Sequence, residues 1–280
     1  MIRFNLHAEI HKHADDIPEP VAAFYLSVPY PSFQDAITRL EEELIQYSGD
    51  TPARNYFKWL FLGLCHYLLG RKSYVAYLER AEETAFFPGF LPLIVRLKYE
   101  TKKAGRILVV VSLGEQINRH IQRLERLHPQ LKVILTGAGF EISDFLRTWN
   151  KYDQVFLLGH GEDRSEGYEG HITLGGQVMT PSMLKDHIRS NPLHPKIMGV
   201  FCCGMAFDDP EIMSHFDFLM MDRESSVAIF VEMFINGYLL EYYRSYNVLD
   251  GFRHGRLATI FRAKSDPTYE IYLRGITLQE

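Results

Sequence analysis

Two short apolar runs decide the fold, and each leads directly into a reactive side chain. The first is Val155-Phe156-Leu157-Leu158-Gly159-His160-Gly161, and the second is Ile197-Met198-Gly199-Val200-Phe201-Cys202-Cys203-Gly204. Short apolar runs bounded by glycine or proline predict fully buried strands of a parallel sheet. In open α/β sheets the functional groups gather outside the carboxyl ends of the strands. We therefore expect an imidazole and a thiol to leave one sheet at the same edge.

This combination of histidine and cysteine predicts nucleophilic catalysis by a thiol. Either residue alone is more often structural, but here each follows its own strand and is followed by a glycine, which lets a substrate approach the backbone. A neighbouring imidazole can remove the thiol proton, and backbone N–H groups can stabilise the oxyanion that forms. Side chains alternate along a strand, so only one of Cys202 and Cys203 can point at His160. The residues alone leave open which one does.

Further segments extend this pattern from Arg106 onward. They are an apolar run at 107–112, a second at 132–137, a helix at 141–150, a helix start at 180–184 and a closing strand at 266–275. The ordered set resembles the caspase-like cysteine peptidases, and is most similar to their CHAT branch. The resemblance implies an α/β fold with a mostly parallel six-stranded sheet flanked by helices.

The same resemblance implies roles for the residues at the two strand ends. His160 is expected to be the general base that activates the thiol and later protonates the leaving amine. Cys203 is expected to be the nucleophile, because the family uses the second residue of such a pair. The N–H groups of Gly161 and Cys203 are expected to form the oxyanion hole, since Gly161 directly follows the base.

Substrate preference is harder to predict from these positions. Relatives that cleave after Arg or Lys often carry an acid two places before the nucleophile, where this sequence has Phe201. Asp222 and Glu224 follow a predicted strand at 216–221, where relatives line the first specificity pocket, and they could receive a basic side chain. We therefore predict substrate contacts at Phe201, Asp222 and Glu224. Two further acidic candidates are Asp208 and Asp209.

The first part of the chain predicts a separate, all-helical domain over residues 1–103, followed by the sheet domain over 104–280. Apolar periodicity predicts helices at 33–47, 52–69, 73–84 and 91–102, with Gly70 ending the second and Ser73 capping the third. The pattern Trp59-x-x-Leu62-Gly63 is similar to a tetratricopeptide repeat, although an ordinary helical hairpin remains an alternative. A high density of aromatic residues at 56–77 favours a partner-binding face on this domain.

Composition narrows the functional classes. The net charge of −5 shows no excess of the basic residues that bind nucleic acid. Three cysteines, two of them adjacent, do not form a disulfide framework, so we expect a reducing cytoplasm. We expect neither a signal peptide nor a membrane span. His7, His11 and His13 lack cysteine or acidic partners at metal-ligand spacing, and no glycine-rich phosphate loop is present, so neither a metal nor another cofactor is predicted.

These observations lead to two functional expectations. The first is a cysteine endopeptidase that acts on a protein substrate and is switched on when a regulatory protein binds the helical domain. Relatives in bacteria serve as switched proteases, sometimes in defence systems. The second is a catalytically silent scaffold of the same fold that binds protein. The intact His160-Gly161 and Cys203-Gly204 pairs favour the enzyme.

Overall fold

The chain divides into two units, Met1–Glu100 and Thr101–Glu280. The structure is a computed structural model, and it describes residues 6–26, 33–85, 87–99, 105–137, 139–162, 165, 168–202, 207–222, 228–263, 269–273 and 276–277. The predicted boundary between residues 103 and 104 falls outside these ranges. No helix in the described ranges is long and apolar enough to cross a lipid bilayer.

The described residues of the first unit form helices. They are α1 (Leu6–Lys12), α2 (Glu19–Leu26), α3 (Phe33–Gln46), α4 (Pro52–Leu68), α5 (Tyr74–Thr84), a 3-10 turn (Pro88–Phe90) and α6 (Leu91–Tyr99). The predicted helices correspond to α3 through α6. Helices α1 and α2 were not predicted, because the prolines around them read as helix breakers. Pro20 in fact lies in the first turn of α2, where a backbone N–H has no intrahelical partner to lose.

The end of α4 forms as predicted at Gly70. The glycine adopts a φ of +70°, and its N–H donates to the Tyr67 carbonyl at 3.0 Å. The N–H of Arg71 donates to the His66 carbonyl at 2.9 Å, which completes a Schellman motif. Ser73 occupies the N-cap position of α5 as predicted, but its side chain accepts no backbone N–H of that helix. The Ser73 hydroxyl contacts His66 instead.

The described residues of the second unit form two sheets and a set of helices. Its strands are β1 (Ile107–Val111), β2 (Leu131–Leu135), β3 (Gln154–Leu158), β4 (His160–Glu162), β5 (His171–Leu174), β6 (Gln177–Met179), β7 (Ile197–Phe201), β8 (Phe218–Asp222), β9 (Tyr269–Leu273) and β10 (Ile276–Thr277). Its helices are α7 (Glu115–Leu124), α8 (Ile142–Thr148), a 3-10 turn (Trp149–Lys151), α9 (Pro181–Ser190), α10 (Pro210–His215), α11 (Ala228–Ser245) and α12 (Val248–Ala263).

Six main strands form the large sheet, in the order β9-β8-β7-β3-β1-β2. The pairs from β2 to β8 are parallel, and β9 runs antiparallel to β8. Within the described residues, the two-residue β10 adds a seventh strand outside β9. The predicted fold class, a mostly parallel six-stranded sheet flanked by helices, is confirmed. This α/β architecture is compatible with the caspase-like fold.

The central strands are buried on both faces, as their unbroken apolar runs predicted. Val155, Leu157 and Val200 belong to a core shared with α8 and α9. Phe156 and Phe201 point to the opposite face, where their rings contact α11 at Tyr238 and Phe234 respectively, with centroids about 5 Å apart. Helix α8 and the turn after it bury Phe145, Leu146 and Trp149 against this core.

A small antiparallel sheet, β4-β5-β6, follows the large one at its carboxyl edge. A two-residue turn joins β5 to β6: Gly175 and Gly176 have φ of +61° and +82°, as such a hairpin turn requires. Strand β4 was not predicted. It pairs with β5 directly after β3, so the chain that carries His160 is held in a strand rather than in a loop.

Candidate active site

The two predicted strand ends lie side by side. Strands β3 and β7 are adjacent and parallel, with Leu158 in register with Phe201. The N–H of Gly159 donates to the Phe201 carbonyl at 3.1 Å, which extends the pairing by one residue. His160 and Cys202 therefore leave the large sheet at the same edge, as the sequence predicted.

Gly161 is the point of contact between these two chain segments. A Cβ at this position would lie 2.6 Å from the His171 carbonyl oxygen and 2.9 Å from Cys202 Sγ, and both distances are too short for any real side chain. Only glycine fits, because the backbone of β5 and the thiol of Cys202 occupy the space that a Cβ would need. The backbone immediately after His160 thus packs directly on Cys202.

Cys202 has the environment of a core residue. It is 6% exposed and belongs to the same apolar core as Val200 and Ile172. Phe201, one position earlier, points to the opposite face of the sheet, as strand alternation requires. Cys203, the predicted nucleophile, lies outside the described residues, so its role remains a prediction.

A small cavity joins His160 to two of the predicted substrate-binding residues. It has a volume of about 40 Å³, and its lining residues are Leu113, Gly159, His160, Phe201, Cys202, Asp222, Ala228 and Val231. A volume of this size holds roughly one to three water molecules. The walls are mainly apolar, and Asp222, which is 1% exposed, is the acidic residue in them. Glu224, the other predicted acid, lies outside the described residues.

Phe201 forms part of this cavity from within an aromatic cluster. Its ring centroid is 4.9 Å from that of Phe234, 5.4 Å from Tyr269 and 6.3 Å from Phe156. The side chain is fully buried. Phe201 therefore gives the cavity a fully buried apolar wall.

Asp209, a further acidic candidate, has a structural task. Its carboxylate accepts the N–H groups of Glu211 and Ile212 at 2.9 and 3.4 Å, which caps α10, and it also pairs with Lys185 at 2.8 Å. Burial alone would raise the pKa of this carboxyl. The hydrogen bonds from Lys185 and the capped amides outweigh burial and hold the pKa below its ordinary value. Asp208 lies half-buried beside it.

Polar side chains on β5 accompany His160, although they were not predicted from the sequence. Thr173 is directly opposite His160 across the β4–β5 pair, and His171 is opposite Glu162. His171 Nε2 lies 3.1 Å from Thr173 Oγ1, and its Nδ1 contacts the Tyr168 hydroxyl. The alternation His160-x-Glu162 against His171-x-Thr173 was a usable signal, because directly opposite residues share one face of a sheet.

A larger cavity lies on the helical side of the second unit, between α7, α11 and α12. Its volume is about 680 Å³, and its walls are mainly apolar with a His120–Glu232 contact of 3.2 Å. None of the residues described in its lining is a cysteine, serine or threonine. The described residues also contain no group of three or more His, Cys, Asp or Glu side chains able to hold a metal ion. The small cavity beside His160 is therefore the better candidate for thiol chemistry.

No family model matches the sequence, and no curated protein is significantly similar to it. The fold and the geometry around His160 are therefore what supports a function for this chain.

Proposed function

We propose that this protein is a cysteine endopeptidase with His160 as general base and Cys203 as nucleophile. The observation that carries the proposal is the contact between Gly161 and Cys202. Each of these residues is next in sequence to one member of the dyad. A contact between them supports an imidazole and a thiol within reach of one substrate bond.

The proposed reaction follows the chemistry of an activated thiol. His160 takes the proton of the Cys203 thiol, and the thiolate attacks the carbonyl carbon of the scissile peptide bond. The N–H groups of Gly161 and Cys203 stabilise the oxyanion of the tetrahedral intermediate. The imidazolium then donates its proton to the leaving amine, the C–N bond breaks, and a water molecule hydrolyses the thioester.

The environment of Cys202 supports Cys203 as the reacting thiol. A thiol that reacts must be accessible and must ionise easily, whereas burial in apolar surroundings opposes ionisation. Cys202 is buried and packs on the Gly161 backbone, although it also borders the cavity beside His160. We assign Cys202 the structural task of fixing the distance between the two strand ends.

Asp222 supports a first specificity pocket for a basic side chain. Its buried carboxylate borders the same cavity as His160 and would pair with a Lys or Arg of the substrate. The present volume of about 40 Å³ is far below the roughly 300–1,000 Å³ typical of ligand sites. The cavity must therefore widen before a substrate side chain enters, which supports low basal activity and activation by a protein partner. The defence role implied by the resemblance remains a prediction.

Selective alkylation tests the proposal. We expect iodoacetamide to modify Cys203 in the native protein, and the rate to fall in His160→Ala because the thiolate loses its base. Cys65 provides an internal control, since burial first and the Glu41 charge second raise the pKa of its thiol to about 12. Equal, slow modification of Cys203 in both proteins would instead support the catalytically silent scaffold.

A further inference from the structure

A second constellation of catalytic type lies in the first unit, away from the cysteine pair in sequence. Ser73 Oγ is 2.7 Å from His66 Nδ1, and His66 Nε2 is 2.9 Å from Glu41 Oε1. We propose that Ser73 is a second nucleophile, which His66 activates as general base to cleave small carboxylic esters. This activity is independent of the peptidase proposed above.

The order of the three groups, from hydroxyl to imidazole to carboxylate, fits a serine nucleophile. Glu41 and His66 are 6% and 7% exposed, whereas Ser73 is open to solvent. The carboxylate beside Nε2 favours the tautomer with its proton on Nε2, which leaves Nδ1 free to accept the hydroxyl proton of Ser73. The Nε2–Glu41 contact is electrostatic rather than an aligned hydrogen bond, because the carboxylate lies off the line of the N–H. Arg71 also contacts Glu41.

The start of α5 supplies the donors that an oxyanion needs. Ser73 immediately precedes this helix, and its hydroxyl does not cap it. Within the described part of the chain, the first-turn N–H groups of Val75 and Ala76 have no hydrogen-bond partner. Amides at a helix start point outward along the axis, and they carry the positive end of the helix dipole. They can therefore stabilise negative charge that develops beside Ser73 Oγ.

The surroundings favour a substrate with an apolar group. The Tyr77 ring packs edge-on against His66, with centroids 4.6 Å apart, and the Trp59 ring stacks on Tyr77 at 5.9 Å. Both aromatic side chains are only half-buried. An acyl or aryl group can lie on this surface while its carbonyl faces the start of α5.

The proposed step balances without any further reactant except water. Ser73 Oγ bonds to the ester carbonyl carbon as its proton passes to His66 Nδ1. The C–O bond to the alcohol breaks, and the imidazolium returns the proton to the leaving oxygen. Water, deprotonated by the same imidazole, then attacks the acyl-serine, releases the carboxylic acid and restores the hydroxyl.

A fluorophosphonate probe tests the nucleophile in the full-length protein, because it modifies activated serines by displacing fluoride. We expect peptide mass spectrometry to find the adduct on Ser73. Ser182 is the matched internal control: it is also exposed in the first turn of a helix, but its hydroxyl donates to the Glu169 carboxylate at 2.6 Å instead of to an imidazole. No preference for Ser73 over Ser182 overturns the proposal, and this comparison needs no variant.

Two variants test the base and its carboxylate partner. His66→Gln should slow labelling of Ser73 by about 100-fold, a typical contribution of a general base. Glu41→Gln should slow it less, and it provides the second measurement if His66→Gln does not fold. Labelling unchanged in a folded variant of either kind overturns the proposal. Turnover is measured with p-nitrophenyl acetate in a Cys203→Ala background, where Ser73→Ala should abolish release of p-nitrophenolate above the uncatalysed rate, and unchanged release overturns the esterase activity.

Discussion

At the scale of single residues, the proposed peptidase depends on one position without a side chain. Gly161 has room for nothing beyond its backbone, because the His171 carbonyl and the Cys202 thiol fill the adjacent space. A backbone oxygen cannot swing away as a flexible side chain can. Any larger residue at 161 must push apart β4 and β5, or separate the two strand ends that carry the proposed dyad.

Gly161→Ala should therefore lower both stability and alkylation of Cys203. We expect the free energy of unfolding to fall by about 1–3 kcal/mol, the usual cost of overpacking a tight site. Urea denaturation measures this change. Gly137→Ala is the control, because an added Cβ there meets nothing within 4 Å and its φ is not positive. Equal effects of the two substitutions would contradict the tight contact at Gly161.

Substitutions at the two adjacent cysteines should have different effects on activity and stability. Cys203→Ala should abolish peptide cleavage and leave the fold intact. Cys202→Ala should retain most activity and lose about 1 kcal/mol of stability through lost packing. Cleavage assays and thermal unfolding on the same samples check both outcomes. If Cys202→Ala is inactive and Cys203→Ala cleaves normally, the assignment of the two thiols is reversed.

At the scale of elements, the stability of a short helix depends strongly on the groups that cap its ends. Helix α10 spans only Pro210–His215, and Asp209 caps it while also pairing with Lys185 of α9. One carboxylate therefore fastens two helices that cover the same face of the sheet. Because the pKa of Asp209 is lower in the folded protein than in the unfolded chain, this fastening depends on pH.

Acid should reduce the contribution of Asp209 to the free energy of unfolding. A carboxyl with a lowered folded pKa stabilises the protein above its ordinary value of 3.8, and the contribution is lost as the pH falls through the lower folded value. Asp209→Asn keeps a capping side chain but cannot titrate. We expect its free energy of unfolding to fall less steeply than that of the wild type below pH about 4. Identical slopes in acid denaturation would show that Asp209 does not contribute.

Elements with a strong repeating pattern were predictable from the sequence, and elements defined by distant partners were not. Strands β1, β3 and β7 followed from their apolar runs, and the turn at Gly175-Gly176 followed from its two glycines. Helix α10 is too short to show a helical period, although Asp209-Pro210 was a usable start signal. Strand β4 alternates polar residues around one glycine, and only its pairing with β5 makes it a strand.

The two candidate sites were likewise predictable only in part from the sequence. Placing His160 and the cysteine pair at one sheet edge required only the order of strands in the chain. The Ser73–His66 contact could not be inferred in this way, because it depends on how α4 and α5 approach each other. The local sequence favoured a capping hydrogen bond from Ser73. In the structure its hydroxyl contacts His66 of α4 instead.

At the scale of the whole molecule, the helical unit leaves several of its aromatic rings only partly buried. Tyr56, Phe57 and Phe61 are fully buried. Four more aromatic side chains of this segment stay half-buried, namely Trp59, Tyr67, Tyr74 and Tyr77. Partly exposed aromatic side chains at this density are typical of a binding surface, which supports a regulatory protein partner at this unit.

The isolated, unpartnered protein should therefore show low basal peptidase activity. Removing residues 1–103 should raise the rate of Cys203 alkylation and of peptide cleavage if the helical unit restrains the site, since a partner can only shift an equilibrium that already exists. Thermal unfolding of the truncated chain is measured in parallel, so that loss of folding is not mistaken for loss of activity. Full activity in the intact protein, unchanged by the truncation, would leave the helical unit as a recruitment module.

Because β9 pairs with β8, the large sheet can be completed only late in the synthesis of the chain. Leu219 lies in register with Tyr272, so β8 gains its outer neighbour only after α11, α12 and β9 have left the ribosome. Chains are made from the amino end, and sheets cannot close around strands that do not yet exist. Both members of the proposed dyad are thus translated well before the sheet beside them is complete. A chain truncated before residue 269 would therefore carry the thiol and the imidazole on an unfinished sheet.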